Sequence, residues 1–187
     1  IANTSRANSR GVDLHRNWDT PVWVREEESS WGTILYGGEY PFSEVETQYV
    51  RDMILENLDS IYFCDYHTNN SSGDEQDRLM WISLNNLSLR NENLQIAAKY
   101  TLSKQTREFV KDYGQPDDGI FGYITQSDNS STAKYYAALQ GIPASTTECF
   151  RKFPNESELY TPNTIKACTE YIGNWFINVV KQFKNTT

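Results

Sequence analysis

Three stretches of this 187-residue chain concentrate residue types that can do chemistry. The first is Arg6-Ala7-Asn8-Ser9-Arg10-Gly11-Val12-Asp13-Leu14-His15-Arg16-Asn17-Trp18-Asp19. The second runs from Tyr36-Gly37-Gly38 through Pro41-Phe42-Ser43-Glu44-Val45-Glu46-Thr47. The third is Asp65-Tyr66-His67, followed much later by Thr146-Thr147-Glu148. An arginine such as Arg16 presents a planar fork of donors that matches the two oxygens of a carboxylate. A neutral imidazole such as His67 can ligate a metal. A carboxylate such as Glu148 can accept a proton and hand it on. Each residue also admits a purely structural account: His67 as a strand-end histidine, Glu148 as a solvated strand-end acid, Arg16 as an ion-pair partner of Asp13 or Asp19, and Arg6 as an exposed cation.

The elements that would position these groups are legible in part. Gly11–Leu14 reads as a short strand or strand end, and residues 19–42, with Pro21, Gly32, Gly37, Gly38 and Pro41, as a long ordered loop. Ser43-Glu44-Val45-Glu46 has the form of a capping box, in which Ser43 takes the Glu46 N–H and Glu46 reaches back. Val45, Tyr49, Val50, Met53, Ile54 and Leu58 follow at helical spacing and predict one buried stripe. Ile61–His67 reads as a strand, with Asp65 and His67 on the face of Ile61 and Phe63. Asn69–Gly73 has turn chemistry, and Leu79–Leu84 is a second strand. Leu94, Ala98, Leu102 and Phe109 mark a helix that stops near Gly114 and Pro116. Ile120–Thr125 is strand-like, Ser130–Gln140 a short helix closed by Gly141, and Ile142–Phe150 a strand with Pro143 near its start. Thr161-Pro162 opens a last helix, with Ile165, Cys168, Ile172, Trp175, Val179 and Phe183 as its buried stripe. The alternation predicts an α/β fold, a three-layer α/β/α arrangement with a mixed, mostly parallel sheet.

The bulk numbers narrow the function classes. The length fits one domain, 1–187, with a sizeable core. A net charge of −8 and the lack of a basic stripe exclude a nucleic-acid partner. The dense charge run Arg25–Glu28 is acidic and reads as a solvated loop. No membrane span is expected: no segment approaches the ~18 apolar residues one needs, and the greasiest patch, Trp175–Val180, is broken by Asn178. Cys64, Cys149 and Cys168 form no CxxC pair; they read as buried thiols, with a Cys149–Cys168 bridge left open. Sequons at Asn3, Asn70, Asn86, Asn129, Asn155 and Asn185 do not settle secretion. The chain opens at Ile1 with no signal peptide, which suggests a processed fragment.

Gly11-Val12-Asp13-Leu14-His15-Arg16-Asn17-Trp18, then Pro41-Phe42-Ser43-Glu44-Val45-Glu46-Thr47, then His67 and the late Glu148 resemble, in order and spacing, the carboxypeptidase A-type zinc peptidases. That family carries G-V-D-L-N-R-N-[FWY], then Y-x-G…P-F-S-E-x-E-[TV] opening a helix, then a strand ending in a zinc-binding His. The resemblance covers nearly the whole chain. It implies a metallopeptidase that cleaves next to a free C-terminal carboxylate, with Arg16 and His15 gripping that carboxylate and Arg6 steadying the oxyanion. His67 would be a zinc ligand, and Glu148 the base that serves a zinc-activated water. It also implies a mobile tyrosine over the site and a specificity position behind it. Tyr123 is the nearest tyrosine to the first, although a gapless count reaches Ser127, and Tyr135 lies near the second, where its bulk argues against basic side chains.

Besides the aromatic cover, the chain departs from the pattern in two further places. The family's zinc takes two further ligands from an upstream His-x-x-Glu, and neither His15 nor His67 begins one. A catalytic zinc needs three protein ligands, so the chain by itself is expected to be metal-poor and inactive. The missing N-terminal part would have been removed or would lie on another chain. The family also has Asn where His15 stands, and an imidazole there would add sensitivity to pH near neutrality. The expected substrate is a peptide or a peptidoglycan stem peptide. A non-catalytic peptide- or carboxylate-binding relative is the alternative. A zinc-dependent N-acyl amino acid deacylase is a third reading, disfavoured because Trp18-Asp19-Thr20 replaces the Phe-Pro-Gly such enzymes carry. An extracellular setting follows from resemblance alone.

Overall fold

The computed structural model describes residues 6–29, 32–68, 79–83, 93, 97, 122–126, 131–149, 158 and 160–184. A 3-10 helix covers Leu14–Arg16. Strands β1 (Glu26–Glu28) and β2 (Ile34–Tyr36) pair antiparallel. Helix α1 (Val45–Glu56) follows, then β3 (Phe63–Thr68), β4 (Leu79–Ser83) and β5 (Gly122–Gln126). Helix α2 (Ala133–Leu139), β6 (Ala144–Cys149) and helix α3 (Pro162–Lys184) complete the described order. The larger sheet runs β3-β6-β4-β5, with β3 parallel to β6, β4 parallel to β5 and β4 antiparallel to β6. This is the mixed α/β sheet that the alternation predicts. The expected turn at 69–73 lies outside the described residues, as does the 94–109 helix except for Ala97, which is helical and fully buried.

The core gathers on α2. Ala133, Tyr135, Tyr136, Ala137 and Ala138 pack with Trp18, Phe42, Ile54, Ile142 and Ala144. Trp18, Phe42 and Tyr136 meet edge-on or tilted, with ring centroids 5.0–5.9 Å apart, the range aromatic quadrupoles prefer. Phe42 adopts φ +58 to reach this cluster. Left-handed backbone costs a bulky residue roughly 1–2 kcal/mol, comparable to what burying its ring returns. Helix α2 lies against β3 and β6 and so sits beside the strands that carry His67 and Glu148.

Local chemistry departs from the sequence reading where tertiary partners intervene. Gly11–Leu14 is not a strand. Asn8 Oδ1 accepts from the N–H groups of Arg10 and Val12, and Gly11 turns at φ +79. Such side-chain bonds give the backbone an alternative to a sheet ladder. The 19–42 loop contains the β1–β2 hairpin. The capping box does not form: Glu44 is the N-cap, without a side-chain cap bond, because Ser43 Oγ is engaged by Asn17 Nδ2 and Glu44.

The buried face of α1 is also rotated from the apolar stripe. Thr47 and Ile54 are buried and Val50 half-buried, whereas Val45, Tyr49, Met53 and Leu58 are exposed. The Thr47 hydroxyl bonds to Asn17 Oδ1 at 2.7 Å, which draws that side of the helix inward. In α3, Pro162 takes the first helical position as expected and Val179 is buried, but Ile165 is exposed. The side chains of Cys168, Ile172, Trp175 and Phe183 lie outside the described set.

Candidate active site and metal centre

Asn17 is the hub that joins the first two motifs, and it is fully buried. Its Nδ2 donates to the Gly37 carbonyl at 2.7 Å, the Tyr40 carbonyl at 3.1 Å and Ser43 Oγ at 3.0 Å. Its Oδ1 accepts from Glu44 N–H and the Thr47 hydroxyl. Only Gly fits at Gly38: φ is +93, and a Cβ there would lie 2.3 Å from Ser43 Oγ and 2.5 Å from Asn17 Nδ2. Glu44, 1% exposed, accepts from Asn8 Nδ2 and Ser43 Oγ. The R-N-W and P-F-S-E motifs are therefore one polar knot with few spare lone pairs, and the 3-10 helix bearing His15 and Arg16 is fixed to it.

Within that frame, Asp13 organises two candidates. Its Oδ2 accepts from Arg6 Nε at 2.7 Å and its Oδ1 from the His15 backbone N–H at 3.1 Å. Arg16 does not pair with Asp13 or Asp19. Its Nε donates to Glu27 of the hairpin, in a tight ion pair, and its Nη1 to the His15 carbonyl. Asp13 is taken by Arg6, and the hairpin brings Glu27 to the guanidinium. Among the described residues Arg16 Nη2 makes no hydrogen bond, which leaves part of the fork available.

His15 meets the strand β3 histidine. The two rings stack edge-on with centroids 4.5 Å apart. Asp65 lies between them, with His67 Nε2 at 2.9 Å from Oδ1 and His15 Nδ1 at 3.5 Å from Oδ2. Among the described residues His15, Asp65 and His67 are the group of His, Cys, Asp or Glu side chains that converge as metal ligands, with donor atoms within 4.8 Å of one another. Burial drives the His15 imidazole down to about 3, against the pull of Asp65, so it is neutral at pH 7. Burial pushes the Asp65 carboxyl up, but the His67 hydrogen bond and surrounding positive charge outweigh it and its pKa ends lowered. Lys134 of α2, 3% exposed, contributes to that charge.

Glu148 is the Cα partner of His67 on the parallel strand β3 and of Met80 on β4, and the side chains of Glu148 and Met80 lie outside the described set. Tyr123 stands on β5 opposite Met80, and its side chain lies outside the described set. Tyr135 is 8% exposed and belongs to the aromatic core. The structure thus brings His15, His67 and the Glu148 position together, sets Arg16 on the same 3-10 turn, and holds Arg6 through Asp13. Sequence reasoning gave Asp65 no role, although its period-two spacing from His67 on a strand already placed it on that face. Asn17 stands in the quoted motif but had no assigned role, and Glu27 and Lys134 carried no signal outside a three-dimensional fold. Cys64 is a free thiol whose pKa burial raises; the side chains of Cys149 and Cys168 are not described.

Residues 1–159 match the zinc carboxypeptidase family, Peptidase_M14, and the chain belongs to that family. No curated protein matches in sequence. Among solved structures, the fold is similar to bovine thrombin-activatable fibrinolysis inhibitor in complex with tick carboxypeptidase inhibitor, at TM-score 0.65 and 16% identity, over 94% of this chain and 58% of that one. A second structure of thrombin-activatable fibrinolysis inhibitor gives 0.64 and 17%, over 93% and 42%. The murein-tripeptide amidase MpaA from Escherichia coli O157 gives 0.50 and 18%, over 93% and 60%. At these identities the likeness is one of fold, and the chain spans about three-fifths or less of each of those chains. No helix among the described residues is long and apolar enough to cross a membrane.

Proposed function

We propose that this member of the zinc carboxypeptidase family is the later part of one catalytic domain, and that the whole protein hydrolyses a peptide bond beside a free C-terminal carboxylate. The observation that carries this reading is the pairing of His67 and Glu148 across parallel strands, with His15 Nδ1 reaching the same cluster from the Arg16 turn.

Arg16 and His15 would hold the substrate carboxylate. The guanidinium offers Nη2 beyond its Glu27 pair, and the neutral imidazole offers a single N–H. Arg6, oriented by Asp13, would steady charge developing on the carbonyl oxygen. Glu148 would take a proton from water and give it to the leaving amine. When bound, zinc polarises the carbonyl and lowers the pKa of a ligated water. His67 fits such an ion as an imidazole donor and matches one ligand of the family pattern. The other two, in His-x-x-Glu, are absent from this sequence, so the chain by itself is proposed to be inactive as a peptidase. Tyr123 and Tyr135 are the proposed cover and specificity residues; the buried setting of Tyr135 gives it a wall rather than a contact role.

The substrate is a peptide or a stem peptide of cell-wall type. The fold is shared with an enzyme named a murein-tripeptide amidase as well as with a fibrinolysis inhibitor bound to a carboxypeptidase inhibitor, and both substrates end in the carboxylate that Arg16 would hold. The test is zinc content and hydrolysis of a blocked dipeptide by the whole natural protein. Stoichiometric zinc with turnover supports the reading. A zinc-free, inactive protein that still binds C-terminal peptides would replace it with the carboxylate-binding alternative.

A further inference from the structure

We infer that Glu27 is a positioning residue: it holds Arg16 by Nε and so commits the terminal nitrogens of the guanidinium to an incoming carboxylate. The inference rests on the reading of Arg16 as the grip on the substrate's C-terminal carboxylate, and says what aims that grip.

The acidic run Arg25–Glu28 holds three consecutive glutamates, and strand geometry sorts them. Successive side chains of a strand point to opposite faces. Glu26 and Glu28 are exposed, and Glu27 between them is half-buried. Its partner on β2 is Leu35, which is buried. Directly opposed residues share a face of the ladder, so Glu27 lies on the face of the hairpin that packs against the protein. A carboxylate on such a face needs a partner, and that partner is Arg16. The neighbouring pair Arg25–Glu39 is of another kind. Its side chains are 58% and 54% exposed, against 13% and 22% for Arg16 and Glu27. Solvent screens the first pair far more than the second.

The hairpin is tied to the turn that bears Arg16. The Asp13 N–H donates to the Tyr36 carbonyl and the Gly37 N–H to the Arg25 carbonyl, each at 2.8 Å. A Cβ at Gly37 would lie 2.7 Å from the Val24 carbonyl oxygen and 3.0 Å from that of Arg16, so glycine is what lets the two segments approach this closely. Glu27 is therefore presented from a backbone that is fixed relative to Arg16.

The donors of the guanidinium give the consequence. It has one N–H at Nε and two on each terminal nitrogen. Glu27 takes the first, and the His15 carbonyl accepts from Nη1 at 3.2 Å. The Nε–Nη2 edge is thus closed at Nε, and a carboxylate is directed to the terminal nitrogens. An arginine fixed beforehand also loses less rotamer freedom when substrate arrives.

The test measures kcat and KM of the whole natural protein for a blocked dipeptide with a free C-terminus. Calorimetry gives the affinity for that peptide and for its C-terminal amide, a readout that needs no turnover. For Glu27→Ala we expect affinity for the free acid to weaken and KM to rise by roughly 5–50-fold, with kcat and the affinity for the amide little changed. Glu27→Gln keeps an oxygen that accepts from Nε, and should return the affinity to within about threefold of the unsubstituted protein. The Arg16 Nε–H of the unsubstituted 187-residue chain should give a resonance protected from solvent exchange, a readout that survives if a variant fails to fold. Tighter binding of the free acid by Glu27→Ala would make Glu27 a competitor of substrate and overturn the inference. Equal losses for acid and amide, an unchanged affinity, or an unprotected Nε–H would overturn it as well. Each of these outcomes leaves the carboxylate grip standing. An unsubstituted protein that binds acid and amide alike removes the grip itself, and Glu27's role with it.

Discussion

His67 and Glu148 stand as Cα partners on the parallel strands β3 and β6. In sequence they lie 81 positions apart (148 − 67). Parallel pairing requires a crossover rather than a tight turn, so this juxtaposition is a property of the topology and not of any local motif. Helix α2 leads into β6 and packs on both strands, which fixes their relative height. A histidine and an acid at paired backbone positions on adjacent strands have better fixed Cα positions than the same residues on loops.

The polar knot at Asn17 should be worth more to stability than any single contact in the site. Asn17→Ala removes the acceptor of the Glu44 N–H and one donor each from the Gly37 carbonyl, the Tyr40 carbonyl and Ser43 Oγ in a buried setting, while the Thr47 hydroxyl keeps the Glu44 carbonyl. At about 1–3 kcal/mol for an unsatisfied buried group, with the weakened contacts added, the expected loss is about 2–4 kcal/mol. Urea denaturation of the chain and its variant measures it; a loss under about 1 kcal/mol would show that the knot is not a structural keystone.

Gly38→Ala should fail for a different reason. The substitution adds no polar defect, but its Cβ would collide with Ser43 Oγ and Asn17 Nδ2 at a left-handed φ. The expected cost exceeds about 2 kcal/mol, from strain and displacement of Asn17 together. Gly11→Ala is the control: φ is +79 but nothing lies within 4 Å, so its cost should be about 1 kcal/mol. Equal melting temperatures for the two variants would contradict the steric account.

The knot also shows what was and was not readable beforehand. The mixed sheet, its strands near Phe63, Leu79, Gly122 and Ala144, and the Pro162 start of the last helix follow from alternation and punctuation alone. Those signals are local and few competing interactions touch them. The capping box and the α1 stripe were misleading because one buried amide, Asn17, outcompetes both: it captures Ser43, and it pulls Thr47 rather than Val45, Tyr49 and Met53 toward the core. In the site, the pattern of motifs pointed to His15, Arg16 and His67. Asp65 was visible on the right face but lacked a chemical reason until His15 arrived from the other side. The structural alternative for Arg16, an ion pair with Asp13 or Asp19, names other partners than Glu27, which reaches it through a hairpin too short to announce itself.

Arg16→Ala should act on substrate binding through the carboxylate. Loss of a charge-assisted fork contact corresponds to about 1.5–3 kcal/mol, or roughly 10–150-fold in affinity. In the whole protein we expect KM to rise in that range for a blocked dipeptide with a free C-terminus and to change little for its amidated counterpart. Equal effects on both substrates would assign Arg16 to holding the hairpin through Glu27 instead.

The central claim is that the acid at position 148 moves the proton in hydrolysis beside a metal-bearing histidine. Its most direct measurement is kcat of the whole natural protein and of Glu148→Gln on one blocked dipeptide, with zinc content determined in both. The account predicts unchanged zinc and a fall in kcat of about 10²–10⁴-fold. A variant that keeps full zinc and full turnover would contradict it.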